Sequence, residues 1–429
     1  MRYSEALEFL RGLQRAGMRP GLDRVLRLAA AAGNPERELR FIHVAGTNGK
    51  GSTCAFLESL YRARGHRVGL YTSPHLGTFR ERIQVDRVPI PEAEAARLIA
   101  SLAAKAEGAG TPDGPSFFEF TTVLALEWFR VSGCEVVIWE TGMGGRRDAT
   151  NIVTPLASVI TNIGWDHMPW LGNTLAAIAG EKAGIFKPGV PALTAVEEPS
   201  ALEVLRETAR SLGVPLRCVL PKGPEVAALL GAGLDSGMTG EHQVLNAALA
   251  LATAEELGAV PAGDRANALR ALANTQWPGR FQVLPMGSRE LVLDAAHNQP
   301  AFRALASALD ARFPGDRHAV VLGLFPDKDS DAAADLLLAG ATRVVVVPIG
   351  PGPGREHEAE ALAVRWGGRG IRCERAVSVR EALARLSGEG RIVVTGSFQV
   401  VGEALDVVSG RSEAESERWL NEWRPPPVP

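Results

Sequence analysis

The sequence predicts an α/β protein in two units: a P-loop-containing doubly wound sheet over residues 1–284 and a smaller Rossmann-like α/β domain over residues 285–429. Three observations carry this. The apolar run Phe41-Ile42-His43-Val44-Ala45 stops at Gly46-Thr47-Asn48-Gly49-Lys50-Gly51-Ser52 and continues into Thr53-Cys54-Ala55-Phe56-Leu57-Glu58, which reads as buried strand, glycine loop and helix. Strand and helix patterns alternate along the chain and restart after Trp277-Pro278-Gly279-Arg280. A chain of 429 residues also exceeds what one hydrophobic core usually serves.

Residues 3–32 carry helical periodicity (Leu7, Leu10, Leu13; Leu22, Val25, Leu26) broken at Gly17-Met18-Arg19-Pro20-Gly21, giving two short helices before the glycine loop. Val68-Gly69-Leu70-Tyr71-Thr72 is a strand ending at Ser73-Pro74-His75-Leu76, and residues 91–107 and 117–130 are helical. Glu135-Val136-Val137-Ile138-Trp139-Glu140 is a strand with an acidic last residue, followed by Thr141-Gly142-Met143-Gly144-Gly145, a layout like Walker B. Ala157-Ser158-Val159-Ile160-Thr161 leads to Asn162-Ile163-Gly164-Trp165-Asp166-His167 and a helix from Thr174 to Ala183. Residues 192–216 form one more strand–helix unit, and residues 220–240 are glycine-rich and irregular. The helix from Glu241 to Leu257 sets His242 and Asn246 on one face. The second domain shows strands at 290–294, 319–322, 344–347 and 392–395, with helices near 300–312, 329–339 and 356–366. The proline-rich end, Arg424 to Pro429, reads as a frayed tail.

A formal net charge of −3 gives no general reason to bind nucleic acid or an anionic membrane. The four cysteines (Cys54, Cys134, Cys218, Cys373) show no metal spacing and suit a reducing compartment. The first 30 residues lack a signal-peptide apolar core, and no apolar run reaches spanning length, so the expectation is a cytoplasmic protein.

The loop is a phosphate cradle. Its glycines let main-chain N–H groups converge on phosphate oxygens at a helix N-terminus, Lys50 adds a point charge, and Ser52 offers a hydroxyl to Mg²⁺. Only two residues separate Gly46 from Gly49-Lys50, where the general pattern has four. The strand ends at Ser73, Glu140 and Asp166-His167 bring polar groups to the same edge, the expected site of an open α/β sheet.

These motifs resemble, in order and over nearly the whole chain, the folylpolyglutamate synthase and dihydrofolate synthase group of the Mur ligase superfamily. The blocks are His43 to Ser52, Ser73-Pro74-His75-Leu76, Glu81-Arg82-Ile83, Asp148-Ala149-Thr150-Asn151, Asp166-His167, Glu181-Lys182-Ala183-Gly184-Ile185, His242-Gln243, Trp277-Pro278-Gly279-Arg280, Asp294-Ala295-Ala296-His297-Asn298 and Thr395-Gly396-Ser397. Ala295 departs from the group's usual glycine, and residues 217–240 match poorly. The resemblance implies an ATP-dependent amide ligase that joins L-glutamate to a folate or dihydropteroate carboxylate through an acyl phosphate, and we take it to act as a monomer. It implies that Gly46, Thr47, Asn48, Gly49, Lys50, Gly51, Ser52, Thr53, Asn246, Arg280 and Asp294 contact ATP. Ser52, Ser73, Glu140, His167 and a carbamylated Lys182 would hold magnesium, taken as two ions, and Lys50, His167, Lys182, Asp294 and His297 would serve the chemistry.

The plain readings stand beside these. His43 is a structural histidine of the buried strand and His66 a surface residue; Asp148 with Asn151 reads equally as a capped turn, and Glu181 as a surface charge. Lys182 by itself reads as solvated. Two other functions use a similar loop. A ligase acting on a cell-wall precursor would carry a domain before the loop, for which 45 residues are too few. A guanine-nucleotide switch would carry Asn-Lys-x-Asp, which the sequence lacks.

Overall fold

The computed structural model describes residues 1–15, 21–108, 114–232, 238–326, 328–350, 354–412 and 417–421. The first sheet is built from β1 (Phe41–Ala45), β2 (Val68–Tyr71), β3 (Ile83–Val85), β4 (Val88–Pro89), β5 (Val136–Glu140), β6 (Ala157–Ile160), β7 (Ala192–Thr194) and β8 (Leu216–Cys218). Their order is β4-β3-β2-β5-β1-β6-β7-β8. β1 pairs in parallel with β5 on one side and β6 on the other, so the strand order reverses beside it. All five β1 residues are buried, as are all five of β5, because helices cover both faces. One face packs the helices Tyr3–Arg15, Asp23–Ala31, Glu92–Gly108 and Phe117–Val131; the other packs Lys50–Ala63, Glu241–Glu256 and Arg265–Ala273.

The second sheet holds β9 (Gln282–Met286), β10 (Arg289–Leu293), β11 (His318–Leu322), β12 (Ala341–Val346), β13 (Cys373–Arg375) and β14 (Arg391–Thr395) in the order β13-β12-β11-β14-β10-β9. Every pairing is parallel except β9 with β10. β9 begins at Gln282, so the expected break after residue 284 falls inside a strand. The sequence hides that strand because it is a half-exposed edge carrying Pro285, which is tolerated only at an edge.

Other differences have equally local causes. The β3–β4 hairpin, β8 and β13 are two- or three-residue strands, too short to display a period. The segment read as irregular contains the helix Pro224–Gly231, while residues 233–237 lie outside the described part. The turn expected at 17–21 lies outside it too, apart from Gly21, as does the tail from 424.

Residues 417–421 cross back from the second domain onto the first. The Glu417 carboxylate accepts from the Tyr3 hydroxyl at 2.9 Å and the Phe79 N–H at 2.6 Å. Leu420, 1% exposed, joins the core under β2 and β3. Leu420→Ala is therefore expected to lower the stability of the first domain by about 2–5 kcal/mol, read as a denaturant midpoint. A shift below about 0.5 kcal/mol, the level of a neutral surface change, would contradict that docking.

Candidate active site

The glycine loop leaves β1 with Gly46 at φ +154°, where a Cβ would fall on the Thr161 hydroxyl. Gly49, at φ +81°, precedes the helix Lys50–Ala63, and a Cβ there would lie 2.6 Å from Asn246 Oδ1. These close approaches require glycine. The strand end after β6 holds the loop: Thr47 and Asn48 N–H donate to the Asn162 carbonyl and Oδ1 at 3.0 and 2.9 Å, and the Thr161 hydroxyl donates to the Asn48 carbonyl at 2.6 Å. Gly49 supplies no side-chain cap, so the first N–H groups of the helix stay available to an anion. Lys50 Nζ curls back to the carbonyls of Gly46 and Thr47 at 3.1 and 3.2 Å.

Glu140, at the end of β5 and 3% exposed, accepts from the Ser73 N–H at 2.9 Å. Burial raises its pKa to about 6, against the pull of Lys50, the Ser73 N–H and two arginines, Arg280 and Arg82. The Ser52 hydroxyl is buried without a hydrogen-bond partner, as is that of Thr53. Lys182, 4% exposed, donates from Nζ to the Gly46 carbonyl at 2.7 Å. Burial first, then the neighbouring Lys50 charge, lowers its pKa to about 7. This corrects the solvated reading of the lysine.

His167, at φ 51° after Asp166, keeps its side chain 43% exposed. Desolvation in the cleft, with Lys328, Lys50 and Lys182 nearby, lowers its pKa to about 4 even though Asp166 pulls the other way. Asp166 itself meets Lys328 of the second domain at 3.0 Å, His167 at 3.8 Å and His297 at 3.9 Å, and stays ionised well below the usual carboxylate range despite its burial. The Lys328 partnership is not legible in the sequence, because an isolated lysine in a loop carries no period.

From the second domain, Asp294 at the end of β10 accepts the N–H groups of Phe281 and Ala296 at 2.8 and 2.9 Å, and burial raises its pKa. His297 Nδ1 lies 2.9 Å from the Ala295 carbonyl, which can only accept, so Nδ1 carries the proton and Nε2 is left as an acceptor. Burial lowers the His297 pKa. Arg280, half-buried, lies over the Phe398 ring at 4.8 Å. Asn48 and Asn298 exchange amide hydrogen bonds at 3.1 and 3.0 Å, tying the glycine loop to the second domain.

Together these elements enclose a cleft of about 830 Å³. Thr47, Asn48, Gly49, Lys50, Gly51, Ser52, Ser73, Glu140, His167, Asn246, Arg280, Asp294 and His297 line it; Gly46, Thr53 and Lys182 stand behind its wall. Asn246 points toward Gly49 and donates to Gln243 at 3.1 Å. Several plain readings fit the geometry. His43 is buried against the Thr150 hydroxyl at 2.9 Å, His66 meets Glu135 at the surface, and Asp148 caps the turn Ala149–Ile152. Glu181 meets Arg146 at 3.6 Å. Among the described residues no cluster of three His, Cys, Asp or Glu side chains could by itself hold a metal.

The Mur ligase middle domain matches residues 44–209, and the Mur ligase glutamate ligase domain matches residues 279–398. A dihydrofolate synthase/folylpolyglutamate synthase of Bacillus subtilis is 39% identical over 346 residues, covering 76% of this chain and 80% of that protein. The Escherichia coli protein of the same name is 34% identical over 416 residues, covering 94% and 95%. The chain belongs to the folylpolyglutamate synthase and dihydrofolate synthase family of Mur ligases. The structure of the Mycobacterium tuberculosis folylpolyglutamate synthase complexed with ADP and AMPPCP matches the ligase with a TM-score of 0.81 at 30% identity, covering 96% and 99% of the two chains. The ligase is thus an ATP-dependent, amide-forming enzyme, and the match across both domains removes the guanine-nucleotide switch.

The lowered pKa of Lys182 links pH to stability. The unfolded ligase keeps this proton up to the ordinary value of 10.5, whereas the folded one sheds it near about 7. Between those values the unfolded state binds more protons, so this residue makes stability rise with pH across the window. In CO₂-depleted, metal-free buffer the urea midpoint of the unaltered ligase should gain on that of Lys182→Met as pH rises from about 7 toward about 9; parallel profiles would contradict a neutral buried amine.

Proposed function

We propose that this chain moves the γ-phosphoryl group of ATP onto a folate or dihydropteroate carboxylate and then joins the amine of L-glutamate to the activated carbonyl. A carboxylate oxygen attacks the γ-phosphorus and ADP leaves; the glutamate nitrogen then attacks the acyl carbon, phosphate departs with that oxygen, and the amine loses a proton. The observation that carries this reading is the shared cleft: the glycine loop with Lys50 faces Asp294 and His297 of the other domain, and Asn48 and Asn298 hold the two edges together.

Phosphoryl transfer needs positioning and charge neutralisation more than covalent help. The helix N-terminus after Gly49 and the Lys50 ammonium would receive the β- and γ-phosphates, with Arg280 and Asn246 on the nucleotide side. His297 carries its acceptor nitrogen toward the cleft and is the candidate to take the proton of the incoming amine, while Asp294 fixes the Phe281–Ala296 backbone around it. Closing one domain on the other keeps water from the acyl phosphate.

Magnesium fits the residues present. The partnerless Ser52 hydroxyl and the buried Glu140 carboxylate are the oxygen donors it favours, with Ser73 beside Glu140 and His167 lining the same cleft. When bound it would neutralise phosphate charge. Lys182 supports this role as a carbamate: its amine, lowered to about 7, is substantially neutral at physiological pH, as attack on CO₂ requires. The carbamate forms with loss of one proton, leaves an N–H for the Gly46 carbonyl, and turns repulsion from Lys50 into attraction. We take the number of metal ions as two, the enzyme as a monomer and its compartment as the cytoplasm; four unpaired cysteines support a reducing environment.

The reading is tested by supplying ATP and glutamate with dihydropteroate and with tetrahydrofolate separately. Nucleotide turnover should require the acid and glutamate together; turnover indifferent to both would overturn it. Lys50→Ala should lower kcat/KM by about a hundredfold or more without changing the melting temperature. Lys182→Ala should be nearly inactive and partly rescued by acetate, and full activity in that variant would exclude the carbamate.

A further inference from the structure

Besides the cations already placed, Arg82 faces the cleft outside the phosphate machinery. Arg82 ends the turn Phe79–Arg82, and its carbonyl accepts from the Thr72 N–H at 3.1 Å, which places it across the ladder from the strand end carrying Ser73. It is 5% exposed and lines the cleft. Nε donates to His75 Nδ1 at 2.9 Å, Nη2 donates to Asn421 Oδ1 at 2.7 Å, and the guanidinium lies 5.3 Å over the Phe117 ring. All of these partners are neutral. The adjacent carboxylate of Glu81 is used by the N–H groups of Leu76, Gly77 and Thr78. Burial lowers the Arg82 pKa to about 10, so the group stays cationic at neutral pH. A buried guanidinium satisfied only by neutral partners on its inner side, with its outer side in a substrate cleft, is suited to an anion held in forked geometry.

Resting on the ligase reading above, we propose that Arg82 binds the α-carboxylate of a folate's own glutamate and thereby selects folates over dihydropteroate. In a folate ending in a single glutamate, the reacting γ-carboxyl carbon and the α-carboxyl carbon are four bonds apart, about 5 Å when extended. The reacting carboxylate belongs beside Glu140, Ser73 and Lys50, and Arg82 is near enough for its charge to act on Glu140. Dihydropteroate has one carboxylate, the reacting one, and gives Arg82 nothing to hold. Phe117, under the guanidinium, is positioned to pack on the aromatic remainder of either substrate.

The test pairs a protein change with a substrate change. Tetrahydrofolate and its analogue with the α-carboxylate converted to a primary amide are compared as acceptors for the unaltered ligase, Arg82→Gln and Arg82→Lys. The unaltered ligase should lose about ten- to a hundredfold in kcat/KM on going from acid to amide, the worth of a charge-assisted pair. Arg82→Gln should lose less than about threefold, and its tetrahydrofolate-to-dihydropteroate preference should fall by the same ten- to hundredfold factor. Arg82→Lys, which keeps charge and stem, should fall between and supplies the reading if Arg82→Gln loses its fold. An undiminished acid-to-amide penalty in the variants, or an equal loss on tetrahydrofolate and dihydropteroate, would overturn the proposal and leave Arg82 a clamp for His75 and Asn421. Failure of the unaltered ligase to use either acceptor would instead overturn the ligase reading, and this proposal with it.

Discussion

Two lysine side chains converge on one carbonyl oxygen, that of Gly46, and much of the active-site architecture follows from that arrangement. Lys182 reaches it from behind the loop and Lys50 from the helix that follows. The carbonyl can present itself to both only because Gly46 lies against Thr161 with no room for a side chain. Burial first, and then repulsion from the second ammonium on the same acceptor, lowers the Lys182 pKa to about 7, while Lys50 faces the cleft. The loop therefore offers one cation to a phosphate and keeps, behind its wall, an amine able to change sign.

The second constraint is that the cleft belongs to neither domain alone. Asn48 with Asn298 and Asp166 with Lys328 and His297 cross it, and Arg280 leaves the linker to stack on Phe398. An amide pair and a charged pair of this kind hold the domains in register while breaking more readily than a packed apolar interface, as closing and opening around substrates requires. At the cleft's edge, residues 417–421 bind the second domain's chain end to the first domain through Tyr3, Phe79, His75 and Arg82.

What could be read from the sequence divides along physical lines. β1, β5 and β6 are buried on both faces and announce themselves as unbroken apolar runs, and the glycine loop is contiguous, so strand, cradle and helix were legible together. Glu140 and Asp294 followed because strand ends can be located once strands are. Short or edge strands such as β8, β9 and β13 left no period to find. Lys182 was placed by resemblance alone, since nothing local tells a buried lysine from a solvated one. Asn48 and Asn298, 250 positions apart, and Lys328 with Asp166 were invisible because polar pairing between domains imposes no pattern on either segment. The neutral hydrogen-bond partners of Arg82 likewise depend on His75 and Asn421 arriving from different parts of the chain.

The central claim is that the cleft activates a substrate carboxylate by phosphorylation before the amide bond forms. Its most direct measurement follows an oxygen atom. With dihydropteroate labelled by ¹⁸O in both carboxylate oxygens, and unlabelled ATP, glutamate and water, each turnover should release inorganic phosphate carrying one ¹⁸O and leave the other in the new amide. Unlabelled phosphate accompanying amide formation would show that no acyl phosphate is made and would contradict the account.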